Sequence, residues 1–314
     1  MLGIQGPIRR RSRQTLRNLA WGLAFASPWI IGFLIFTIGP MLASFYYSFT
    51  EFNIFQAPKW VALDNYSQLL FRDELFGLSL KNTAYMVFVG IPFIQAFALL
   101  TAILLNLKVK GLALYRTVYF LPAVMPAVAV SILWTWIFNP QLGVINLVLR
   151  ALGLPEPGWV ASPVWSKPTL ILLAMWQTGT ITAIYVAGLQ NVPRELYESA
   201  QLDGAGRWGQ FWYVTLPMIS SVILFNVIMG VIWAFQYFTN AYIVSRLSGG
   251  AGGPNTGAPV GSLLFYSLYL YSNAFYYFKM GYASALAWIL FLVILAVTVL
   301  LLRSSARWTY YESS

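Results

Sequence analysis

Residues 194–217 read RELYESAQLDGAGRWGQFWYVTLP and lie between two long uncharged runs of the chain. The segment holds three of the nine acidic residues, in a chain that is 59% hydrophobic and only 9% charged. Because a soluble domain carries roughly 25% charged residues, this composition indicates an integral membrane protein. A compact charged segment between two apolar runs is typical of a loop between membrane spans. We expect this one to dock on a separate soluble partner.

The segment is predicted to form a helix, a turn and a second helix. A proline immediately before it and the early Glu195 favour a helix start, because an acidic group there complements the helix dipole. Gly204 and Gly206 can break the helix and turn the chain. Ser199 and Ala200 have small side chains, which allow another surface to approach closely.

Six long uncharged runs, including the two beside this segment, predict an all-α integral membrane protein with six transmembrane helices. Each run exceeds the ~20 residues that are needed to cross a bilayer. The first run is longer than the apolar part of a signal peptide, so we expect an uncleaved span. Residues 259–278 are also uncharged but rich in tyrosine, which favours the membrane–water boundary, and they predict an interfacial or outward-facing helix rather than a seventh span. The expected spans are residues 20–42, 83–106, 115–138, 168–190, 217–241 and 281–302.

Basic residues predict the orientation in the inner (plasma) membrane. Six spans put both ends on one side, and five arginines between residues 9 and 17 mark that side as cytoplasmic. A seventh span would place Arg303 and Arg307 outside, against this bias. The net charge of +10 is explained by this topology, so no nucleic-acid partner is expected. The predicted organisation is a basic cytoplasmic tail over residues 1–18, a transmembrane domain over 19–303 with the loop 193–217, and a cytoplasmic tail over 304–314.

Proline occurs inside several expected spans. Proline is tolerated in a bilayer where neighbouring helices or water satisfy the freed carbonyl groups, so ordinary kinks are expected. Flexible joints around a pathway are the alternative. The residues are Pro28, Pro40, Pro92, Pro122 and Pro126.

The composition excludes several mechanisms. The chain has no cysteine and no histidine, so no thiolate metal site is possible and no metal or cofactor is expected. No Gly-Lys pair exists, which excludes a phosphate-binding loop of an ATPase. No acidic or basic residue lies deep in an expected span, which argues against proton coupling. Sodium coupling through carbonyl and hydroxyl groups stays open.

Three blocks of sequence resemble one family. Residues 192–217 resemble the EAA loop of ABC importer permeases, closest to the maltose-permease-like branch. Residues 119–146, from YFLPAVMPAVA to NPQLGVIN, resemble the first of the two permeases of sugar importers. Residues 281–285, GYASA, resemble the start of the family's last span.

This resemblance implies a type I ABC importer permease that forms half of a translocation pathway and is not an enzyme. The implied partners are membrane lipid, a second homologous permease, an extracytoplasmic sugar-binding protein and two cytoplasmic ABC ATPase subunits, which bind ATP and magnesium. The EAA loop would couple the chain to the ATPase. The implied coupling residues are Glu195, Glu198, Ser199, Ala200, Asp203, Gly204, Ala205 and Pro217.

A sugar site needs an apolar lining with a few polar groups. Polar and aromatic residues of the two spans that flank the EAA loop supply such groups, and the resemblance points to the region of Gln236 and Asn240. Hydrogen bonding between helices is the alternative role for any of them. The candidates are Trp176, Gln177, Thr178, Asn226, Gln236, Tyr237, Thr239 and Asn240.

Two other functions remain as alternatives. A secondary carrier or channel for small neutral solutes would transport without an ATPase, and it would favour an inverted internal repeat. A membrane enzyme would need carboxylates near a membrane face, for which Glu195, Glu198 and Asp203 are candidates by composition only.

Overall fold

The computed structural model describes residues 13–107, 109–248, 259 and 261–310. Three helices in this part of the chain are long and apolar enough to cross a membrane, and three bent helix pairs raise the number to six if each pair is one span. The predicted six-span, all-α architecture is confirmed. The spans are Gln14–Tyr47 (span 1), Glu74–Leu105 (span 2), Leu112–Val124 with Ala127–Ile137 (span 3), Ser166–Trp176 with Gly179–Gln190 (span 4), Arg207–Met218 with Ser220–Phe235 (span 5) and Met280–Ser305 (span 6).

Shorter elements occupy the connections between the spans. A small antiparallel hairpin pairs Thr50–Glu51 with Lys59–Trp60. Short helices are Asp64–Phe71, Val144–Ala151, Arg194–Leu202, Thr239–Leu247 and Tyr266–Tyr271, with a 3-10 turn at Trp159–Ala161. Five-residue π-helical segments lie at Leu34–Ile38, Met86–Gly90, Phe211–Thr215 and Ser272–Tyr276.

Three proline residues lie just after one of these π-helical segments. Pro40, Pro92 and Pro217 are each the second residue after one, and the helix continues through them. A proline ring collides with the carbonyl group four residues earlier in an α-helix. The wider π turn relieves that collision, which explains why spans 1 and 2 stay unbroken where kinks were expected. Pro28 lies inside an unbroken α-helix.

Span 3 is bent by 100° between Val124 and Ala127. Met125 is extended, with ψ 138°, because Pro126 disfavours the helical conformation in the residue before it. The kink expected at this proline is therefore a complete break, and the expected continuous helix over 115–138 is wrong.

At the breaks of spans 4 and 5 a side-chain hydroxyl donates to a nearby backbone carbonyl. Thr178 donates to the Met175 carbonyl at 2.7 Å at the 52° bend of span 4. Ser220 donates to the Pro217 carbonyl at 2.6 Å at the 66° bend of span 5. Span 5 ends at Phe235. The expected span over 217–241 is therefore too long, because residues 239–241 belong to a separate helix.

Residues 261–274 of the tyrosine-rich segment are largely buried in protein, whereas residues 275–278 are exposed. Leu264, Tyr266 and Leu268 are completely buried, and the Tyr266 hydroxyl donates to the Leu286 carbonyl of span 6 at 2.7 Å. The prediction of a short helix that does not span is confirmed. An interfacial position for the segment stays a prediction, and Tyr276 and Tyr277 at its end are 53% and 49% exposed.

Asp73 joins three elements at one end of the bundle, which we call the Asp73 end. Its Oδ1 accepts the backbone N–H groups of Leu75 and Phe76 and caps span 2. Its Oδ2 accepts short hydrogen bonds from the hydroxyls of Tyr269 and Tyr282. Burial and the Asp73 carboxylate raise the pKa of Tyr269, so its hydroxyl keeps the proton that it donates. This carboxylate therefore links span 2, span 6 and the helix Tyr266–Tyr271.

We expect Asp73→Ala to be strongly destabilising. The substitution removes a helix cap and leaves two phenol groups without an acceptor, which together cost about 3 kcal/mol or more. Thermal unfolding in detergent should show a clearly lower midpoint. Glu74→Ala is the control, because the adjacent Glu74 is exposed. Equal midpoints for the two variants would contradict the linking role.

Candidate functional site

The segment after span 4 forms a sharp elbow. Helix Arg194–Leu202 ends at Asp203, and Gly204 follows with a left-handed φ of 82°. The N–H of Ala205 donates to the Ala200 carbonyl at 2.8 Å, and that of Gly204 donates to the Gln201 carbonyl at 3.0 Å. This pair of bonds is a Schellman motif, and it requires a residue that tolerates positive φ. The predicted helix–turn–helix is present, and we call residues 194–210 the elbow.

The elbow presents apolar and acidic side chains to its surroundings. Leu202 is 90% exposed and Trp208 is 78% exposed. Glu195, Glu198 and Asp203 are exposed as well. Within the described part of the chain none of the three forms an ion pair. Exposed aromatic groups beside unpaired carboxylates indicate a surface for another protein.

The elbow is connected firmly to span 5. Its second helix begins at Arg207 and runs into span 5 without interruption up to the 66° bend. The Tyr197 hydroxyl lies 3.0 Å from the Thr215 hydroxyl, and Gln210 donates to the Ala205 carbonyl at 3.0 Å. A displacement of the elbow is therefore transmitted to span 5.

The structure brings the predicted coupling residues together with one exception. All of them except Pro217 lie on the elbow, around the Gly204 turn. Pro217 lies at the bend of span 5. Ser220 near it accepts the backbone N–H of Tyr310 at 2.8 Å, so the segment at residue 310 contacts the bend. The sequence did not indicate this contact.

Two adjoining cavities lie between the spans. The smaller, of about 190 Å³, is lined by Gln177, Trp233, Ala127 and residues 236–240. The larger, of about 430 Å³, is lined mainly by apolar residues of spans 2, 4 and 5. Gln177 and Trp233 line both cavities, so they stand at the junction. Neither lining contains a charged residue. An apolar wall with a few amides and an indole suits an uncharged polar solute.

Five of the predicted solute contacts line the smaller cavity: Gln177, Gln236, Tyr237, Thr239 and Asn240. Asn226 lines the larger one. Both Tyr237 and Asn226 are only 3% exposed. The Tyr237 hydroxyl and the Asn226 side-chain nitrogen have no hydrogen-bond partner in the described part of the chain. Such buried donors are costly unless another group satisfies them.

Two predicted contacts, Trp176 and Thr178, line neither cavity. Trp176 packs beside Trp134 of span 3, with ring centres 5.8 Å apart and ring planes tilted by 52°. Thr178 is buried, and its hydroxyl lies 2.7 Å from the hydroxyl of Tyr119. That phenol also contacts the hydroxyls of Thr101 and Thr182. These hydroxyls hold spans 2, 3 and 4 together, as polar groups do in membrane proteins.

Sequence reasoning missed three lining residues whose side chains can form hydrogen bonds: Gln95, Thr180 and Trp233. Gln95 accepts from the Tyr185 hydroxyl at 2.9 Å and donates to the Asn226 carbonyl at 2.8 Å. An amide isolated within the uncharged run of span 2 was the available signal. Thr180 and Trp233 carried no signal that separates them from other residues of their spans.

Comparison with known proteins identifies the family. The family described as "Binding-protein-dependent transport system inner membrane component" matches residues 78–309. The chain belongs to this family. The probable ABC transporter permease YesP of Bacillus subtilis (strain 168) is 43% identical to this permease over 315 residues, covering 100% of this chain and 99% of the relative. The lactose transport system permease LacF of Rhizobium radiobacter is 36% identical, covering 74% of this chain and 76% of the relative.

Solved structures agree with the fold of this permease. A chain of the bacterial alginate ABC transporter, crystallised in complex with an alginate pentasaccharide-bound periplasmic protein, superposes with a TM-score of 0.82. The two chains are 23% identical, and the match covers 97% of this chain and 100% of that chain. The permease is therefore an inner-membrane component of a binding-protein-dependent ABC transport system. The membrane-enzyme alternative is wrong, because these relatives are transport permeases.

Proposed function

We propose that the permease forms half of the translocation pathway of an ATP-driven importer of sugars or oligosaccharides. Its relatives include transport permeases named for lactose, arabinooligosaccharides and trehalose/maltose. The uncharged cavities, with amides and one indole at their junction, support a saccharide cargo. The single observation that carries the proposal is the exposed elbow joined without a break to span 5, which itself lines both cavities.

The elbow is the coupling element in this proposal. Its left-handed turn at Gly204 and its unpaired carboxylates Glu195, Glu198 and Asp203 would fit a groove of a cytoplasmic ATPase subunit. Closure of two such subunits on ATP would move the elbow and, through Arg207, the first half of span 5. The bend at Pro217 would convert this movement into a change at the cavities.

The remaining partners follow from exposed surfaces. The apolar part of span 1 has no residue buried within the chain. Its exposed aromatic groups, such as Phe25 and Trp29, would contact lipid and a second homologous permease. The solute would arrive from an extracytoplasmic binding protein. The orientation with both termini in the cytoplasm and the three-part organisation at residues 1–18, 19–303 and 304–314 belong to this proposal.

Two variants of the complete complex test this function. Gln177→Leu keeps most of the side-chain volume but removes the amide at the cavity junction, so sugar uptake should fall about tenfold or more, as expected for the loss of polar recognition. ATP hydrolysis and ATPase binding should stay intact. Glu198→Lys should instead weaken ATPase binding and coupled hydrolysis, and uptake should fall as a consequence. Uptake and ATPase activity in reconstituted vesicles measure both.

A secondary carrier would give a different result. The permease alone in vesicles should transport nothing, whereas a carrier or channel would transport without the ATPase. Thr178→Ala is the control for Gln177→Leu, since Thr178 bonds other helices: it should lower stability without a specific loss of solute recognition. Uptake by the isolated chain, or normal uptake by Gln177→Leu, would overturn the proposal.

A further inference from the structure

Helix Val144–Ala151, in the connection between spans 3 and 4, presents an apolar stripe away from the protein. Val144, Leu147 and Val148 are 59%, 49% and 52% exposed, and the exposed Ala151 completes the stripe. The spacing i, i+3, i+4 and i+7 places all four on one helix face. An uninterrupted apolar stripe on an outer face indicates that another phase or molecule covers it.

The opposite face of this helix is held firmly to the protein. Asn146 is 1% exposed. Its side-chain nitrogen donates to the carbonyls of Pro140 and Pro157 at 2.9 and 3.1 Å, and its Oδ1 accepts from the Trp159 indole N–H at 2.6 Å. These three bonds fix the rotation of the helix. The apolar stripe consequently cannot turn inward.

The exposed apolar surface continues on both sides of the helix. Leu142 is 82% exposed and Leu152 is 67% exposed. Trp136 at the end of span 3 and Trp165 immediately before span 4 are exposed as well. Tryptophan is enriched at the boundary between membrane and water. The stripe is thus flanked by two groups that favour the boundary, and it is continuous with the exposed side of span 3.

The charges of this connection are paired with each other. Arg150 and Glu156 form a bidentate pair at 2.7 and 2.9 Å, and they are the only charged residues between spans 3 and 4. The hydrogen bond from Arg150 lowers the pKa of Glu156, so the pair stays ionised. Because the two charges neutralise each other, neither is free to bind a protein partner. An ion pair beside an apolar stripe suits the headgroup region of a bilayer.

We propose that helix Val144–Ala151 lies in the extracytoplasmic leaflet of the membrane, with its stripe among the lipid acyl chains. Its place in the extracytoplasmic leaflet rests on the proposed orientation of the permease. The helix anchors the connection between spans 3 and 4. Both spans line the smaller cavity at their breaks, span 3 through Ala127 and span 4 through Gln177. In this way the membrane would limit the movement of the connection between the two spans that line the smaller cavity.

Spin labelling tests this position, because the chain contains no cysteine and any introduced one is unique within it; the unsubstituted complex, treated with the same label, gives the background from the other subunits. Leu147→Cys and Val148→Cys carry the nitroxide on the stripe, in the full complex reconstituted into vesicles. Ala161→Cys, at an exposed position of the same connection, is the control. The stripe labels should be relaxed by oxygen but not by a water-soluble nickel chelate, at a depth of about 5–10 Å. The Ala161 label should respond to the nickel chelate.

Two results would overturn the anchor. Stripe labels that respond to nickel as strongly as Ala161 would place the helix in water. Stripe labels shielded from both reagents would place a protein there, such as the second permease. A failure of the proposed orientation is detected separately, because Ala161→Cys would then resist a membrane-impermeant maleimide added outside intact cells. Two stripe positions keep the test valid if one variant fails to assemble.

Discussion

Gly204→Val should abolish most ATP-dependent uptake while leaving the permease folded. The backbone at this position has φ 82°, where a β-branched residue is strained by about 1–3 kcal/mol. That cost would lower the population of the Schellman turn by a factor of roughly 5–150. Because the turn sets the direction of the second elbow helix, the docking surface would lose its shape. Uptake in vesicles and co-purification of the ATPase subunits measure the loss.

Two further variants separate backbone strain from simple crowding. Gly206→Val is matched in chemistry, but Gly206 has φ −69°, and an added Cβ meets no atom within 4 Å there. It should retain most of the uptake. Gly204→Asn should retain more activity than Gly204→Val, because asparagine tolerates the left-handed region. Equal behaviour of all three variants would show that the conformation of the turn does not matter for coupling.

Gly281→Ala should strongly destabilise the permease. Gly281 donates its N–H to the Phe52 carbonyl at 3.1 Å, and an added Cβ would overlap the Thr50 carbonyl oxygen. Both neighbours are backbone groups that cannot rotate away, so the strand after span 1 must move off the start of span 6. Overpacking of this kind costs about 1–3 kcal/mol, and the lost hydrogen bond adds to it. Fluorescence-detected size exclusion after heating should show a lower midpoint and less recovered protein.

Gly77→Ala is the matched control for this variant. Gly77 is exposed on the first helix of span 2, and an added Cβ meets nothing within 4 Å. Alanine is favoured over glycine inside a helix by about 1 kcal/mol, so this variant should be as stable as the parent or more stable. A Gly281→Ala protein that unfolds at the parent midpoint would refute the close approach at the Asp73 end.

The elbow could be predicted because its structure is local. The turn at Gly204 depends on residues within six positions of one another, and glycine is the residue that such a turn requires. The six spans were equally accessible, since their length and lack of charge are properties of consecutive residues. Both features were therefore present in the sequence pattern.

The solute cavity could be predicted only in part. Gln177 and Thr178 are neighbours of similar polarity in the sequence, yet the first lines both cavities and the second bonds to Tyr119. The difference arises at the bend of span 4, where the chain changes direction between them. Polarity, on which the sequence prediction rested, does not show which of two neighbouring side chains faces the cavity at such a break.

The Asp73 end was missed for a related reason. Asp73 meets Tyr269 and Tyr282, which lie 196 and 209 positions later. Tyrosine-rich segments usually mark the membrane boundary, and this preference led to the interfacial prediction for residues 259–278. It did not indicate that the hydroxyls of Tyr269 and Tyr266 bond to a carboxylate and a carbonyl within the protein.

Composition and local pattern alone determined that this chain is a six-span membrane protein with a glycine-turned elbow, because hydrophobic length and backbone conformation depend on adjacent residues. The tertiary structure alone decided which hydroxyls hold helices together and which amides face a cavity. It also decided why residue 281 must be glycine. Those roles depend on which distant segments meet, and a one-dimensional pattern does not record contacts between them.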